Sequence, residues 1–398
     1  MDVDGSRVGF ADLLHTLRAD AGLSLAGLGA AAHIARGYIH HLEHGRRWPS
    51  RTFAKALDRA LDADGALLDA WQAGDHPAAM VDPDEFERFE RALANPRRVD
   101  STVVGHLARV LAEQRRAEDT LGSRHLLPPV LAQLRVIGDL AREARGRVRV
   151  GVLEMAGQYE EFAGWMHQDA MDPAGALRHY DRAMEAAQEI GNHDMITSVL
   201  SLKSHLAWSY GDAARAVGLA AAGQREPGAT SDAVLALIAQ QEARGHALDG
   251  DPDATERALD RSAALTYAAA EHPDDAPPWV YFNDPDRLGF QRGVAYIELG
   301  RQADAVPLLT SALDGLDGRY ERDRARYGAQ LALALAGAGD ADGAVTVGIR
   351  AAVDAAATGS ALATRELRRV RAMLRDRGAE RQAIELAEHI RALTVGLD

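Results

Sequence analysis

Six small or short residues, Ala176, Ala216, Thr255, Ala305, Ala344 and Ala383, recur along this chain at spacings of 40, 39, 50, 39 and 39 residues. Each belongs to a longer frame, most complete at Gly293, Tyr296, Gly300, Ala305, Leu309 and Ala312. The frame returns at Ala332, Leu335, Gly339, Ala344, Gly348 and Ala351, and at Leu374, Gly378, Ala383 and Ala387. Towards the N-terminus it fits Gly164, Ala176, Tyr180 and Ala183, then Gly211, Ala216 and Ala220, and more weakly Gly250, Thr255 and Leu259. Small residues let two helices touch, and a period of about forty residues holds one helix pair. Such pairs bury their apolar faces by stacking on one another, which predicts a superhelix with a concave inner face. One or two poorer pairs are expected within residues 101–150.

Composition agrees with an all-α chain. Hydrophobic residues make up 47% of the 398 but aromatics only 5%. Alanine and leucine dominate, which suits close helix-on-helix packing better than a β-sandwich. The one long spacing marks an insertion, Tyr267–Pro285, that carries Pro273, Pro277 and Pro278 ahead of Trp279-Val280-Tyr281-Phe282-Asn283-Asp284. It is either a lid over the concave face or a loop that packs its aromatics back onto the array. There is no cysteine, which excludes disulfides and thiolate metal sites and fits a reducing cytoplasm. No N-terminal apolar stretch reads as a signal peptide, and no run is long enough for a membrane span.

The first 75 residues differ from the rest. Phe10, Leu13, Leu14 and Leu17 form an i, i+3, i+4, i+7 stripe, and Gly22 ends that helix. Ser24 is the N-cap of a second helix with Leu25 and Leu28 on its inner face. A turn at His33-Ile34 leads to a third helix, Ala35–Glu43, with Tyr38, Ile39 and Leu42 inward. Gly45 stops it, Trp48-Pro49-Ser50 caps a fourth helix at Arg51–Leu61, and a fifth supplies Leu67, Leu68 and Trp71. The formal net charge is −14, yet Arg36–Arg59 holds Arg36, Arg46, Arg47, Arg51, Lys55 and Arg59 against only Glu43 and Asp58. A local basic patch on an acidic chain suits DNA at one end and discourages non-specific DNA contact by the other.

Leu17-Arg18, Gly22-Leu23-Ser24, Leu28 and the stretch Tyr38-Ile39-x-x-Leu42-Glu43-x-Gly45-Arg46-Arg47-x-Pro49-Ser50 resemble the lambda-repressor-like helix-turn-helix family. The resemblance implies that the third helix lies in the major groove of double-stranded DNA. Arg36, Gly37, His40 and His41 would then face base edges, Arg36 bidentate to a guanine. Ser24, Arg46, Arg47 and Arg51 would sit at phosphates. Leu25, His33 and Ala35 depart from the family pattern at its phosphate clamp, turn glycine and helix cap. These departures keep open a protein-interaction adaptor whose helix-turn-helix does not read DNA. His40 and His44 stand at i, i+4, a metal-ligand spacing, but no acidic ligand accompanies them and no metal or cofactor is expected.

The repeat frame is similar to the tetratricopeptide skeleton, and Glu161–Asp169 resembles actinobacterial regulators that join these two kinds of domain. The expected organisation is a helix-turn-helix domain at 1–75, a linker with a short helix at 76–100, and a tetratricopeptide-like α-solenoid at 101–398. In that frame Trp165, Gln168, Asp169, Ser201, His205, Trp208, Gln240, Arg244, Arg287, Phe290 and Arg326 project to the inner groove, with Trp279 in the insertion. Aromatic walls with a few aimed polar groups describe a site for a small molecule, a peptide or a protein partner. Asn95, Asn192 and Asn283 are the only asparagines, and none is expected in the groove, which lowers the peptide reading. Asp323 between Arg322 and Arg324 reads as a helix-surface charge pair. No Gly-rich phosphate loop, G-x-S-x-G or H-E-x-x-H occurs, so catalysis is not expected. The expectation is a cytoplasmic, ligand-responsive transcription regulator acting as a homodimer.

Overall fold

The computed structural model describes residues 5–32, 36–43, 49, 51–73, 99–226, 228–316 and 320–394. Every regular element among them is helical. The chain divides into two compact units, Met1–Asp82 and Pro83–Asp398.

The first unit holds α1 (Gly5–Asp20), α2 (Leu25–Ala32), α3 (Arg36–Glu43), α4 (Arg51–Ala60) and α5 (Ala66–Ala73). Its core takes Phe10 and Leu14 from α1, Leu28 from α2, Ile39 and Leu42 from α3, Leu57 from α4 and Leu67 from α5, all essentially inaccessible. Helices this short hold together by packing rather than propensity, so their ends need fixing. Gly22 turns left-handed at φ 65° to close α1, and Ser24 Oγ accepts from Gly27 N at 3.0 Å to start α2. Asp58 accepts from Gly65 N and Leu67 N, both at 3.0 Å, and so sets the entry of α5. The turn at His33-Ile34, Gly45 and Trp48 lie outside the described residues.

Glu43, at the end of α3, ties that helix to α1. Arg18 donates to its two oxygens through Nε (2.5 Å) and Nη2 (2.8 Å), while Arg18 Nη1 donates to Leu23 O at 2.8 Å. His15 Nδ1 lies 3.1 Å from the same carboxylate. Burial pushes the Glu43 carboxyl up, but the hydrogen bonds and charges of Arg18 and His15 outweigh it and hold it below the usual carboxylate range. Its contribution to stability is therefore present above the unfolded value near pH ~4.3 and lost as pH falls through the lower folded value. Arg18→Met leaves a mostly buried carboxylate with only His15 beside it and should cost about 3 kcal/mol. Amide hydrogen exchange across α1–α3 of the full chain should become roughly a hundredfold faster, and the unmutated chain should lose the same protection in acid.

The second unit opens with α6 (Ser101–Leu121) and α7 (Ser123–Glu143). Six antiparallel pairs follow, namely α8 (Gly146–Asp169) with α9 (Pro173–Ile190), α10 (His193–Ser209) with α11 (Ala213–Gln224), and α12 (Asp232–Asp249) with α13 (Pro252–Glu271). Then come α14 (Leu288–Glu298) with α15 (Gln302–Asp314), α16 (Glu321–Ala338) with α17 (Ala341–Thr358), and α18 (Ala361–Asp376) with α19 (Glu380–Thr394). The turn inside every pair is built alike. A residue with positive φ precedes the second helix by two positions: Met171, Gly211, Gly250, Gly300, Gly339 and Gly378. Asp172, Asp212, Asp251 and Asp340 then accept from the backbone N–H three residues on. The six recurring small residues each stand fourth in their second helix and are buried to 1% or less. There they meet the first helix, whose own small residues are needed equally: a Cβ on Gly164 would lie 2.4 Å from the Tyr180 ring.

The inner face is not an open groove. Helix α6 packs on α16 and α17, and α8 on α18, so the first helices of the array meet the last. Ser360 Oγ donates to Asp169 Oδ1 at 2.7 Å, Arg365 Nη1 donates to Ser209 O at 2.9 Å, and Arg322 reaches Glu118 and Asp119 of α6. One expectation is corrected by this closure. Arg322 and Asp323 are not surface charges but are buried to 8% and 4% exposure, because α16 turns them inward against α6. The insertion follows the second of its two expected courses and packs back onto the array. Trp279 and Val280 enter the core, with Trp279 Nε1 donating to Ser198 Oγ at 2.9 Å.

Gly250 sits at φ 79° and ψ 24°, and a Cβ added there would meet open space. Gly250→Ala should therefore cost only the backbone term, about 1 kcal/mol. Gly250→Asn should cost less. The check is the thermal midpoint of the full chain, expected about 2–4 °C lower for alanine.

Candidate functional site

The closed array surrounds a cavity of about 170 Å³, measured as the space open to the centre of a water-sized molecule. Five of the inward helices line it, α8, α10, α12, α14 and α16, together with α6 and the insertion.

The helix-pair geometry brings Trp165, Ser201, His205, Gln240, Arg244, Arg287, Phe290 and Arg326 together around this space, and the insertion adds Trp279. Trp208 lies beside it, on a narrower crevice that shares His205, Arg244, Phe290 and Arg326 with the cavity. Gln168 and Asp169 do not line either space. Both are buried one turn further along α8, where Gln168 contacts Tyr180 and His205, and Asp169 receives Ser360. Asn283 corrects a second expectation: it lines the cavity, and its Nδ2 donates to Ala233 O at 3.3 Å. The insertion bends back over α12 and carries it there.

The cavity has two ends of different character. At one, Arg322 faces Glu118 and donates to Asp119 Oδ1 and Asp323 Oδ1, both at 3.1 Å. Arg287 Nη1 donates to Asp323 Oδ2 at 2.7 Å, and Tyr281 OH donates to Asp119 Oδ2 at 2.9 Å. Arg115 pairs with Glu161 at 3.2 Å. Burial alone would push the Asp323 carboxyl up, but Arg322, Arg326 and Arg287 hold it far below the usual carboxylate range. These charges satisfy one another.

At the other end Tyr180 OH donates to Gln168 Oε1 at 2.8 Å, which turns the Gln168 amide nitrogen to His205 Nδ1 at 2.5 Å. Nδ1 is the acceptor, so His205 carries its proton on Nε2. Burial, with the nearby Arg244, Arg326 and Arg365, keeps this imidazole neutral. Arg244 is fully buried, and burial together with Arg326 pushes its guanidinium down to about 9, which leaves it cationic at neutral pH. An aromatic ladder joins the groups: Arg326 lies 5.4 Å from the Trp165 ring, Trp165 is 6.2 Å from His205, His205 is 5.3 Å from Trp208, and Arg244 lies 4.9 Å from the Trp208 ring. Phe290 and Tyr327 stack at 3.6 Å beside it.

Sequence reasoning missed Arg115, Glu118, Asp119, Glu161, Tyr281, Arg322, Asp323 and Tyr327. For the α6 residues no repeat frame existed to assign a face. Arg322 and Asp323 stand one turn before the projected Arg326, but adjacent opposite charges are the ordinary mark of a solvated helix face.

In the first unit α3 begins with Arg36 and Gly37 and carries His40, half-buried, and His41. Ser24 is exposed and caps α2. The side chains of Arg36, His41 and Arg51, together with Arg46, Arg47 and His44 entirely, lie outside the described residues. Residues 10–71 match a family model described as a helix-turn-helix domain. No curated protein matches the chain. The domain supports a DNA-binding regulator, and no described helix is long and apolar enough to cross a membrane.

Arg322→Met should leave Glu118 and Asp119 without their cation, while Asp323 keeps Arg287, and destabilise the array by about 3 kcal/mol. Adding Glu118→Leu should recover part of that loss. Denaturant unfolding of the two variants against the parent measures both effects.

Proposed function

We propose that this chain is a cytoplasmic transcription regulator whose helical array holds a small molecule in its central cavity. The observation that carries the reading is the cavity itself, walled by aromatic rings and supplied with a few aimed donors, in a chain that also holds a helix-turn-helix. Ligand sites have this composition. Fastened ends favour a small molecule over a peptide or a protein helix, which need an open groove.

In this reading α3 enters the major groove with Arg36, Gly37, His40 and His41 toward the bases. Ser24, Arg46, Arg47 and Arg51 contact phosphates. The tetratricopeptide-like array at 101–398, joined by a linker at 76–100, supplies the dimer contact that sets half-site spacing. The ligand acts by favouring one curvature of the array, and it regulates DNA affinity only as far as it binds the two states differently.

Arg36→Ala should cost about 1–3 kcal/mol of operator affinity, roughly tenfold to a hundredfold, and leave binding to random DNA nearly unchanged. A gel-shift assay against an operator selected from random DNA reads both. Unchanged discrimination removes the base-reading role, and no binding to any DNA at low salt replaces the regulator with a protein-docking adaptor.

A further inference from the structure

The two ends of the cavity differ in how their charges are balanced. Arg322, Arg287 and Arg115 each have a carboxylate as hydrogen-bond acceptor. Arg244 has none within ion-pair distance among the described residues. Its acceptors are the amide oxygens of Gln291 at 2.6 Å and Gln241 at 3.3 Å. Its Nε, like that of Arg322, is buried with no hydrogen-bond partner. Arg326 approaches a carboxylate only at 3.9 Å, on Asp323, which Arg287 and Arg322 already occupy. Other carboxylates act on this corner without pairing there: Asp169 is held by Ser360, Glu298 by Arg369, and Glu366 by Arg365 and Arg369. His205 adds an Nε2–H donor in the same corner, since Nδ1 is held by Gln168.

A buried cation whose partners are two amide oxygens and an aromatic face still lacks a counter-charge, and an anion brought in by a ligand supplies it. We infer that Arg244, Arg326 and His205 form a subsite for the carboxylate of a small monoanionic acid, whose flat apolar body lies along Trp165, Leu202, Leu237, Trp279 and Phe290. The charge is limited to one because the far-end cations Arg115, Arg287 and Arg322 already have carboxylate partners and offer nothing to a second negative group. The body is apolar because aromatic and aliphatic side chains separate the two ends. This deepens the small-molecule reading above and rests on it.

The test uses the purified full-length protein and a thermal-shift titration with benzoate, phenylacetate and indole-3-acetate. The matching neutral amides and inorganic phosphate are the other arms. The expected result is a saturable rise in midpoint with at least one acid, none with its amide, and a loss of affinity of at least tenfold in Arg244→Met. In the absence of ligand, Arg244→Met should melt at or above the parent, because it removes an uncompensated buried charge. Arg244→Gln provides a second variant with the same expected loss if the methionine packs badly. An equal response to acids and amides, a response to phosphate alone, no saturable response to any acid, or retained acid binding in both variants overturns the subsite. A lower ligand-free midpoint in both variants does so too, since it makes Arg244 a structural cation. Operator binding measured on the same samples separates the two readings. Acid binding that leaves DNA affinity unchanged ends the regulatory proposal and keeps the subsite.

Discussion

The charge cluster around Arg322 decides the form of the array. A stack of helix pairs ordinarily contacts only its neighbours and leaves both ends free. Here one guanidinium on α16 meets Glu118 and Asp119 on α6, some two hundred residues earlier in the chain. Burying such a group is unfavourable unless every charge has its counterpart. Asp323, Arg287 and Tyr281 complete the set. The joint fixes the curvature of everything between α6 and α16, and with it the width of the space inside. An interior built by closure is a better cage for a small molecule than for a chain that must thread through it.

Within this frame the cavity is polarised. The satisfied cluster makes one end rigid and closed to further charge. The opposite corner keeps Arg244 without an anion and points a histidine proton, fixed by the Tyr180–Gln168 relay, into the same region. In the proposed subsite a ligand anion would return the stability that the unpaired cation costs, which would give it leverage over a conformational equilibrium. The insertion matters for the same reason. Trp279 anchors it through Ser198, while Tyr281 touches Asp119 of the closing cluster. The insertion thus connects the cavity wall to the joint between α6 and α16.

The helix-turn-helix unit depends on a comparable but smaller device. Arg18 and Glu43 hold α1 and α3 together, and Arg18 also grips the turn before α2 through Leu23 O. Helix α3 is only eight residues long. A helix of that length is not stable alone, so its orientation is a property of the clamp and the shared core of Phe10, Leu14, Ile39 and Leu42.

What the sequence determined by itself is whatever local chemistry demands. A left-handed turn wants glycine, a helix start wants aspartate, and two touching helices want alanine where they cross. These needs recur at Gly211, Asp212 and Ala216, and again at Gly339, Asp340 and Ala344, so the pairs, their inner faces and residues such as Trp165, His205, Arg244 and Phe290 were legible from spacing alone. The helix-turn-helix was legible for the same reason, since Gly22, Ser24 and the Tyr38–Ser50 motif act within a few residues of one another. Only the tertiary structure decided that the array closes. Glu118 and Arg322 carry no mark of each other in the sequence, because the energy of their contact depends on curvature summed over many helix pairs. That one long-range contact moved Asp323 from surface to interior, and the insertion's path back over α12 placed Asn283 in the cavity. A shift of one turn along α8 set Gln168 and Asp169 to holding the wall instead of facing the space within.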